Sequence, residues 1–442
     1  MKTLSFFLLS LVVHQIHPSR FKTLDETVYQ ELRQKSIAGS TVAVIQGDSL
    51  LFWGAYGYAN HEAKKPMTPD MLFRLGSTTK MFVATAALML VDQGKLDLHR
   101  PIQTYVPGLS PKLGNITMHQ LLSHTAGLFD DAPMVGPADE AALGREIRSW
   151  KDDKVYLEPG RFLSYSNPGY WLAGYVIESI VQKPFADAMR ELVFRPLGMN
   201  HSTFRPGEAD HYPMAQGHDK NYRVINPPAN HAGTWPSGSM YSNIADLSRF
   251  VIAYLNNGVL EGNQVLPRRV IGLLSTPRVK IPERPTGWYN YGLVSEERHG
   301  ATYVFHNGAR SGYGSMIRMV PRKQFAVILL ANRDGALMGQ TADAATEMFV
   351  AKKDSAQDRT FTYIRDGAEH YEGNYICPPN IEMELFLRGI LHVKRGWEQV
   401  PVRKYSDTEY HNNIFPFTVT FDPEGHVQFI HMELHTMKRV EQ

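Results

Sequence analysis

Residues 73–94 read FRLGSTTKMFVATAALMLVDQG. From Met81 onward the run is apolar on almost every side, the pattern of a helix buried all round rather than one lying on a surface. A helix is therefore expected over 77–93. Gly76 stands immediately before Ser77, so the serine opens this helix, where free backbone N–H groups and the positive end of the dipole face its hydroxyl. Lys80 follows at i+3 and lies over the same face. An ammonium at the head of a buried helix, with no compensating carboxylate in the segment, is a costly placement for a scaffold residue. Desolvation is expected to hold its pKa below the ordinary value of about 10.4, so that it can accept a proton. On this segment alone a plainer alternative stands: an N-cap serine followed by a lysine whose stem is buried and whose head reaches water.

Before this helix, apolar residues Phe21, Leu24, Val28 and Leu32 recur at helical spacing and predict a first helix over 21–35. Runs at 40–46 (STVAVIQ) and 50–58 (LLFWGAYGY) flank Gly47-Asp48, a strong hairpin turn. After it, helices are expected at 118–124 behind a Thr117/Gln120 capping box, at 169–182, and at 243–257 behind Ser242 as N-cap. Strands follow at 301–306, 314–320 and 324–331, then a closing helix at 336–350. The class is thus α+β: an antiparallel sheet assembled from both ends of a domain, with a helical region inserted between. Residues 351–360 (AKKDSAQDRT) are polar, as a linker is. Beyond Tyr363 short alternating runs such as IEMELFL, ILHVKR, FTVTF and VQFIHMEL suggest a small all-β, barrel-like unit, whose role is either to stabilise or shape the main domain or to contribute to the substrate cleft or to oligomer contacts. The expected division is 1–19 signal peptide, 20–352 catalytic domain, 353–362 linker and 363–442 small β domain.

A chain of 442 residues exceeds what one core usually supports, in keeping with two units. A net charge of +2, with 20% charged residues spread along the chain, does not point to nucleic acid. The single cysteine, Cys377, excludes an intrachain disulfide and a Cys-based metal cage, and reads as an inert thiol. Lys2 followed by the apolar run Leu4–Val13 and the polar His14, Gln15 and His17 reads as an export signal, too short to span a bilayer. Export to the periplasm or beyond is expected, with cleavage near Ser19 or retention as an anchor.

A serine nucleophile also needs a base and an oxyanion site. Tyr-x-Asn occurs at Tyr58, Tyr165, Tyr241 and Tyr254. Tyr58 ends a hairpin strand, Tyr241 stands just before an N-cap, and Tyr254 falls within an amphipathic helix. Only Tyr165-Ser166-Asn167 lies in an irregular loop, between Pro159-Gly160 and Pro168-Gly169, where polar side chains can enter a cleft. His-x-Gly occurs at His231 and His306. The first sits in a Pro- and Asn-rich loop. The second ends an expected strand and runs into Ala309-Arg310-Ser311-Gly312, where glycine permits close approach of a ligand or backbone.

Ser77-x-x-Lys80, Tyr165-x-Asn167 and His306-x-Gly308, in that order, resemble the serine β-lactamase-related family of class C β-lactamases, DD-peptidases, D-aminopeptidases and esterases. GYAN at 57–60, LLSHTAGL at 121–128 and FLSYSNPGYWLAG at 162–174 strengthen the likeness, which covers about 22–350. The tail resembles the lipocalin-like domain of some members. The resemblance implies a β-lactamase/transpeptidase-like fold. Ser77 would attack a carbonyl, with Lys80 and Tyr165 sharing the base role. Asn167 would bind substrate and Lys80, and the N–H groups of Ser77 and Ala309 would form the oxyanion hole. It implies no cofactor, no metal, and a small ester, amide or short peptide as partner. One departure matters: β-lactamases usually carry Lys where His306 stands, and a histidine is less positive at neutral pH, so the expectation moves toward an esterase or D-amino-acid-specific peptidase. β-Lactamase or DD-carboxypeptidase action is the alternative. A non-catalytic penicillin-recognising sensor is the rival from another class. Gly-x-Ser-x-Gly and His-Glu-x-x-His are absent, which argues against α/β-hydrolase and zinc-protease chemistry.

Overall fold

The run FAVILLA at Phe325–Ala331 has no polar residue because both faces of its strand are covered. It lies at the centre of a nine-stranded antiparallel sheet. On one side it pairs with Gly39–Gln46, which pairs with Ser49–Asn60 and that in turn with the short edge strand Lys65–Pro66; on the other come Tyr313–Val320, Ala301–Arg310, Val294–Arg298 and the short strands Gly287–Tyr289 and Val279–Lys280. Side chains alternate across this sheet. Phe325, Val327 and Leu329, with Val42 and Val44, join one core cluster. Ala326, Ile328 and Leu330, with Ala43 and Ile45, join another, larger one.

In this computed structural model the described residues are 21–350 and 362–440, with breaks at 132, 134, 227, 283, 365–367, 378–380, 389, 396, 406–408, 412–415 and 433. The expected export signal, nearly all of the expected linker and the side chain of Cys377 lie outside them.

The smaller core sits between the sheet and two helices, Lys22–Gln34 and Gly339–Glu347. The larger fills the space between the sheet and the helical region, whose centre is Thr79–Asp92. Twelve of the fourteen residues of that helix are buried, which is why its sequence shows no polar face. The capping box forms as expected: Thr117 accepts from the Gln120 amide at 3.3 Å, and the Gln120 side chain accepts from the Thr117 amide at 2.9 Å.

Three of the boundaries that differ from expectation have a clear structural cause. The closing helix starts at Gly339 rather than 336, where the fully buried carboxylate of Glu31 accepts from the amides of Gln340 (3.2 Å) and Thr341 (2.8 Å) and from the Thr341 hydroxyl (2.8 Å). The N-cap at 243–257 is Asn243, not Ser242. The Ser242 backbone pairs with Phe73 and its hydroxyl meets Ser202 at 2.9 Å, while Asn243 is extended and accepts from the Asp246 amide at 3.0 Å. The strand expected to end at 306 continues to Arg310, because its partner Tyr313–Val320 begins only two residues later, across a turn in which Gly312 has φ +82°.

The C-terminal unit is a ten-stranded antiparallel sheet with its own core, including Tyr375, Leu385, Val393, Phe417 and Ile430. Leu391 donates to Ile364 and Val402 donates to Leu391, each at 2.9 Å, so the two ends of the sheet meet and it nearly closes into a barrel. The expected runs become Ile381–Arg388, Ile390–Arg395, Pro416–Phe421 and Val427–Met432.

Glu31→Ala would strip the partners from two helix-start amides and a buried hydroxyl. Unsatisfied buried groups of this kind cost about 1–3 kcal/mol. A lower melting temperature with activity retained is expected, and an unchanged melting curve would show that water replaces the carboxylate.

Candidate active site

Ser77 sits in a short 3₁₀ turn, Gly76–Thr78, that runs directly into the helix Thr79–Asp92. Gly76 adopts φ +56°, and a Cβ there would lie 2.6 Å from the carbonyl oxygen of Ala309. A Cβ on Gly308 would come within 1.9 Å of the Leu75 carbonyl oxygen. The two glycines thus let strand Ala301–Arg310 lie backbone against backbone on the serine turn. This contact is open because Val294–Arg298 pairs only as far as Phe305, leaving the edge from His306 to Arg310 facing Ser77. Ser315 clamps the junction: its hydroxyl donates to the Leu75 carbonyl at 2.6 Å and meets the Thr78 hydroxyl at 2.6 Å.

Lys80 is fully buried. Its Nζ lies 2.8 Å from Asn167 Oδ1, 2.7 Å from the Ser237 carbonyl oxygen and 3.4 Å from Ser77 Oγ. Burial pushes its pKa down to about 7; the Asp130 carboxylate opposes the fall and the Arg310 guanidinium adds to it. A neutral amine has two N–H donors and one lone pair. The two strong acceptors, Asn167 and Ser237, take the donors, which leaves the lone pair toward Ser77.

The Tyr165 phenol lies beside the Ser77 side chain, and Lys80 Nζ stands 4.7 Å from the centre of the Tyr165 ring. Burial raises the Tyr165 pKa well above its ordinary value, so the phenol is protonated at neutral pH. The other three Tyr-x-Asn copies lie elsewhere. Tyr58 is exposed on Ser49–Asn60, and Tyr254 meets the Ser275 hydroxyl at 2.7 Å. Tyr241 pairs with Arg74 across a two-stranded ladder, its ring 5.5 Å from that guanidinium. Asn167 begins the helix Asn167–Val181, and its Nδ2 and backbone amide both donate to Asp130 Oδ2, at 3.0 and 3.1 Å. Its Oδ1 is thereby turned toward Lys80.

His306 faces the same site with its ring 6.5 Å from that of Tyr165. Burial and the nearby Lys80 push its pKa down to about 3, so it is neutral. His124 is neutral for the same reason, with burial the larger cause. A directed chain of hydrogen bonds fixes both tautomers. The Ser166 amide donates to His124 Nδ1 (3.1 Å), so His124 Nε2–H donates to the Tyr289 oxygen (3.0 Å). Tyr289 in turn donates to His306 Nε2 (3.2 Å), and His306 Nδ1–H donates to the Asn307 carbonyl (2.7 Å). His231, the other His-x-Gly copy, instead accepts from the Gly233 amide at 3.0 Å and caps a 3₁₀ turn.

A family model described as beta-lactamase matches residues 24–352. The chain belongs to the β-lactamase family. It is 28% identical over 344 residues to a β-lactamase of Pseudomonas fluorescens, covering 71% of this chain and 93% of that protein. It is 29% identical to penicillin-binding protein 4 of Amycolatopsis lactamdurans (67% and 81% covered) and 30% identical over 273 residues to esterase EstB of Burkholderia gladioli (53% and 70%). Among solved structures, the fold of SurE superposes with a TM-score of 0.76 at 23% identity over 95% of this chain and 98% of that one. A class C β-lactamase of Rhodobacter sphaeroides superposes at 0.63 and 20% identity, over 74% of this chain and 99% of that one.

Within this family frame, the structure brings Ser77, Lys80, Tyr165, Asn167, His306, Gly308 and Ala309 into one site. It adds residues that sequence reasoning missed: Asp130, His124, Ser237, Tyr289 and Arg310. His124 lies in LLSHTAGL, a segment noted only for its familiarity, and adopts φ +57°, rare for a non-glycine residue. Arg310 is nearly buried, and its Nε has no hydrogen-bond partner among the described residues.

Asp130→Asn tests the electrostatics. The carboxylate favours the ammonium form of Lys80, so its removal lowers the Lys80 pKa below about 7. The acid limb of fluorophosphonate labelling of Ser77, followed by mass spectrometry across pH, is expected to move down by roughly one pH unit or less.

Proposed function

We propose that this protein is a serine hydrolase that cleaves ester or amide bonds through an acyl-enzyme on Ser77, as an esterase or a D-amino-acid-specific peptidase. The observation that carries this reading is a buried, pKa-lowered Lys80 whose Nζ lies 2.8 Å from Asn167 Oδ1, 2.7 Å from the Ser237 carbonyl oxygen and 3.4 Å from Ser77 Oγ.

In the proposed reaction Ser77 Oγ attacks the carbonyl carbon while its proton passes to neutral Lys80, directly or through the Tyr165 hydroxyl. The oxyanion is held by the backbone N–H groups of Ser77 and Ala309, a reading supported by the close approach of Gly76 to the Ala309 backbone. Collapse of the tetrahedral intermediate expels the alcohol or amine, which takes the proton from Tyr165 or Lys80. The same pair then removes a proton from water as it attacks the acyl-enzyme, and Ser77 is regenerated with release of an acid.

Substrate preference rests on charge. A neutral His306 offers no ammonium for a carboxylate, which supports esters over anionic β-lactams. Arg310, beside Ala309 and with its pKa lowered only to about 9, stays cationic and favours a second reading, a peptidase for substrates with a free terminal carboxylate. The similarity to esterase EstB supports the first of these readings.

Side-by-side assays of short p-nitrophenyl esters, a D-Ala-D-Ala peptide and nitrocefin decide among them. Ser77→Ala is expected to abolish turnover and labelling. Tyr165→Phe should cost about two to four decades in kcat/KM, whereas Tyr241→Phe should stay within a few-fold. If Tyr241→Phe is the more damaging, the assignment of Tyr165 falls.

The pH profile follows from Lys80. Its neutral form is the base, so kcat/KM should climb as pH rises through about 7 and fall below it. His306, down to about 3, stays neutral throughout and should add no second limb in this range.

A further inference from the structure

The last two strands, Val427–Met432 and His435–Arg439, form a hairpin whose closing pair is Met432 and His435. Its tip reaches the loop that carries Tyr165. The Tyr165 amide donates to the Leu434 carbonyl at 2.6 Å, and the buried Thr436 hydroxyl donates to the Leu163 carbonyl at 2.8 Å. The alternate amides of the same loop go the other way: Ser164 donates to the His124 carbonyl at 2.8 Å and Ser166 to His124 Nδ1 at 3.1 Å. The backbone around Tyr165 is thus gripped on one side by its own domain and on the other by the C-terminal unit.

Side chains reinforce this contact. Phe162 packs on Phe429 with centroids 4.6 Å apart and lies 5.3 Å from His431. Leu434 joins Leu163, Tyr165 and Tyr289 in a small apolar cluster. The His435 ring stands 5.9 Å from the Tyr165 ring at 54°. Tyr165 therefore has His124 at 4.1 Å and His306 at 6.5 Å from the main domain, and a third imidazole from the other one.

We propose that the hairpin tip of the C-terminal unit is part of the catalytic apparatus, with Leu434 and His435 as positioning residues that hold Tyr165 for proton transfer to and from Ser77. This rests on the hydrolase reading above. Leu434 fixes the main chain of Tyr165 through its carbonyl, and His435 limits the tilt of the phenol ring. The main domain alone supplies only half of that grip. Displacement of a catalytic group by about 1 Å can cost two decades of rate, so loss of one contact has a measurable effect.

The test uses full-length His435→Ala, His435→Phe and Thr436→Val, with kcat expressed per Ser77 labelled by fluorophosphonate, so that a lower folded fraction does not count. His435→Ala is expected to lower kcat about tenfold or more with KM changed less than about threefold. His435→Phe, which keeps a ring, should recover most of the loss, and Thr436→Val should fall between. If His435→Ala fails to fold, the other two variants carry the test. All foldable variants remaining within about twofold of wild type would overturn the proposal. A 3-fluorotyrosine placed at position 165 gives a readout that needs no turnover: its ¹⁹F signal should shift in His435→Phe and Thr436→Val, and an unmoved signal would also overturn the proposal. Failure of the hydrolase reading looks different, as wild-type Ser77 would then take no label while the ¹⁹F shift persisted.

Discussion

An amine without water governs this site. Lys80 lies where nothing solvates it, and the surroundings divide the cost of that burial between a lowered proton affinity and a set of fixed acceptors. Asn167 can act as one such acceptor only because Asp130 orients its amide, and the Ser237 carbonyl is in reach because its hydroxyl accepts from Trp171 at 2.8 Å and donates to Thr234 at 3.2 Å. Each of these groups comes from a different part of the helical region. The apolar packing that makes Thr79–Asp92 a core helix is the same packing that keeps Lys80 dry.

Neutrality extends across the site. His124, Tyr289 and His306 carry polar atoms through the protein interior without a net charge, and the direction of their hydrogen bonds is set at one end by the Ser166 amide and at the other by the Asn307 carbonyl. Both ends are backbone, so the chain holds its orientation without a carboxylate. The cationic groups around the serine turn include Lys80, when protonated, Arg310 and the buried Arg74.

The elements legible in the sequence were those with local signals. FAVILLA, the Gly47-Asp48 turn and the Thr117/Gln120 box each state their geometry within a few residues, and the corresponding strands, turn and cap formed. Ser77 and Lys80 were legible for the same reason, since one turn of helix contains both. Tyr165 was singled out from four copies by its loop context, and only it reaches the serine. What could not be read depends on distant pairing. His124 and Tyr289 are 165 positions apart, and Lys80 and Ser237 are 157 apart. No periodicity or turn residue marks such a contact. The start of the last helix of the domain at Gly339 was missed because its cap, Glu31, stands 309 positions before the amide it binds. The tail was legible as a β unit, but its approach to Tyr165 rests on a backbone carbonyl, to which every residue type contributes alike.

The central sheet joins the two extremes of its domain, with Ser40 opposite Ala331 and Gln46 opposite Phe325. A ribosome releasing this chain from the N-terminus would expose Gly39–Gln46 and its hairpin partner for almost three hundred residues before the strand that flanks them exists. Pairings of such separation slow folding and lengthen the time during which unpaired edges are exposed. The architecture therefore delays completion of its own core until nearly the whole domain has been made, and the serine turn, which leans on that sheet, is among the last features to acquire its shape.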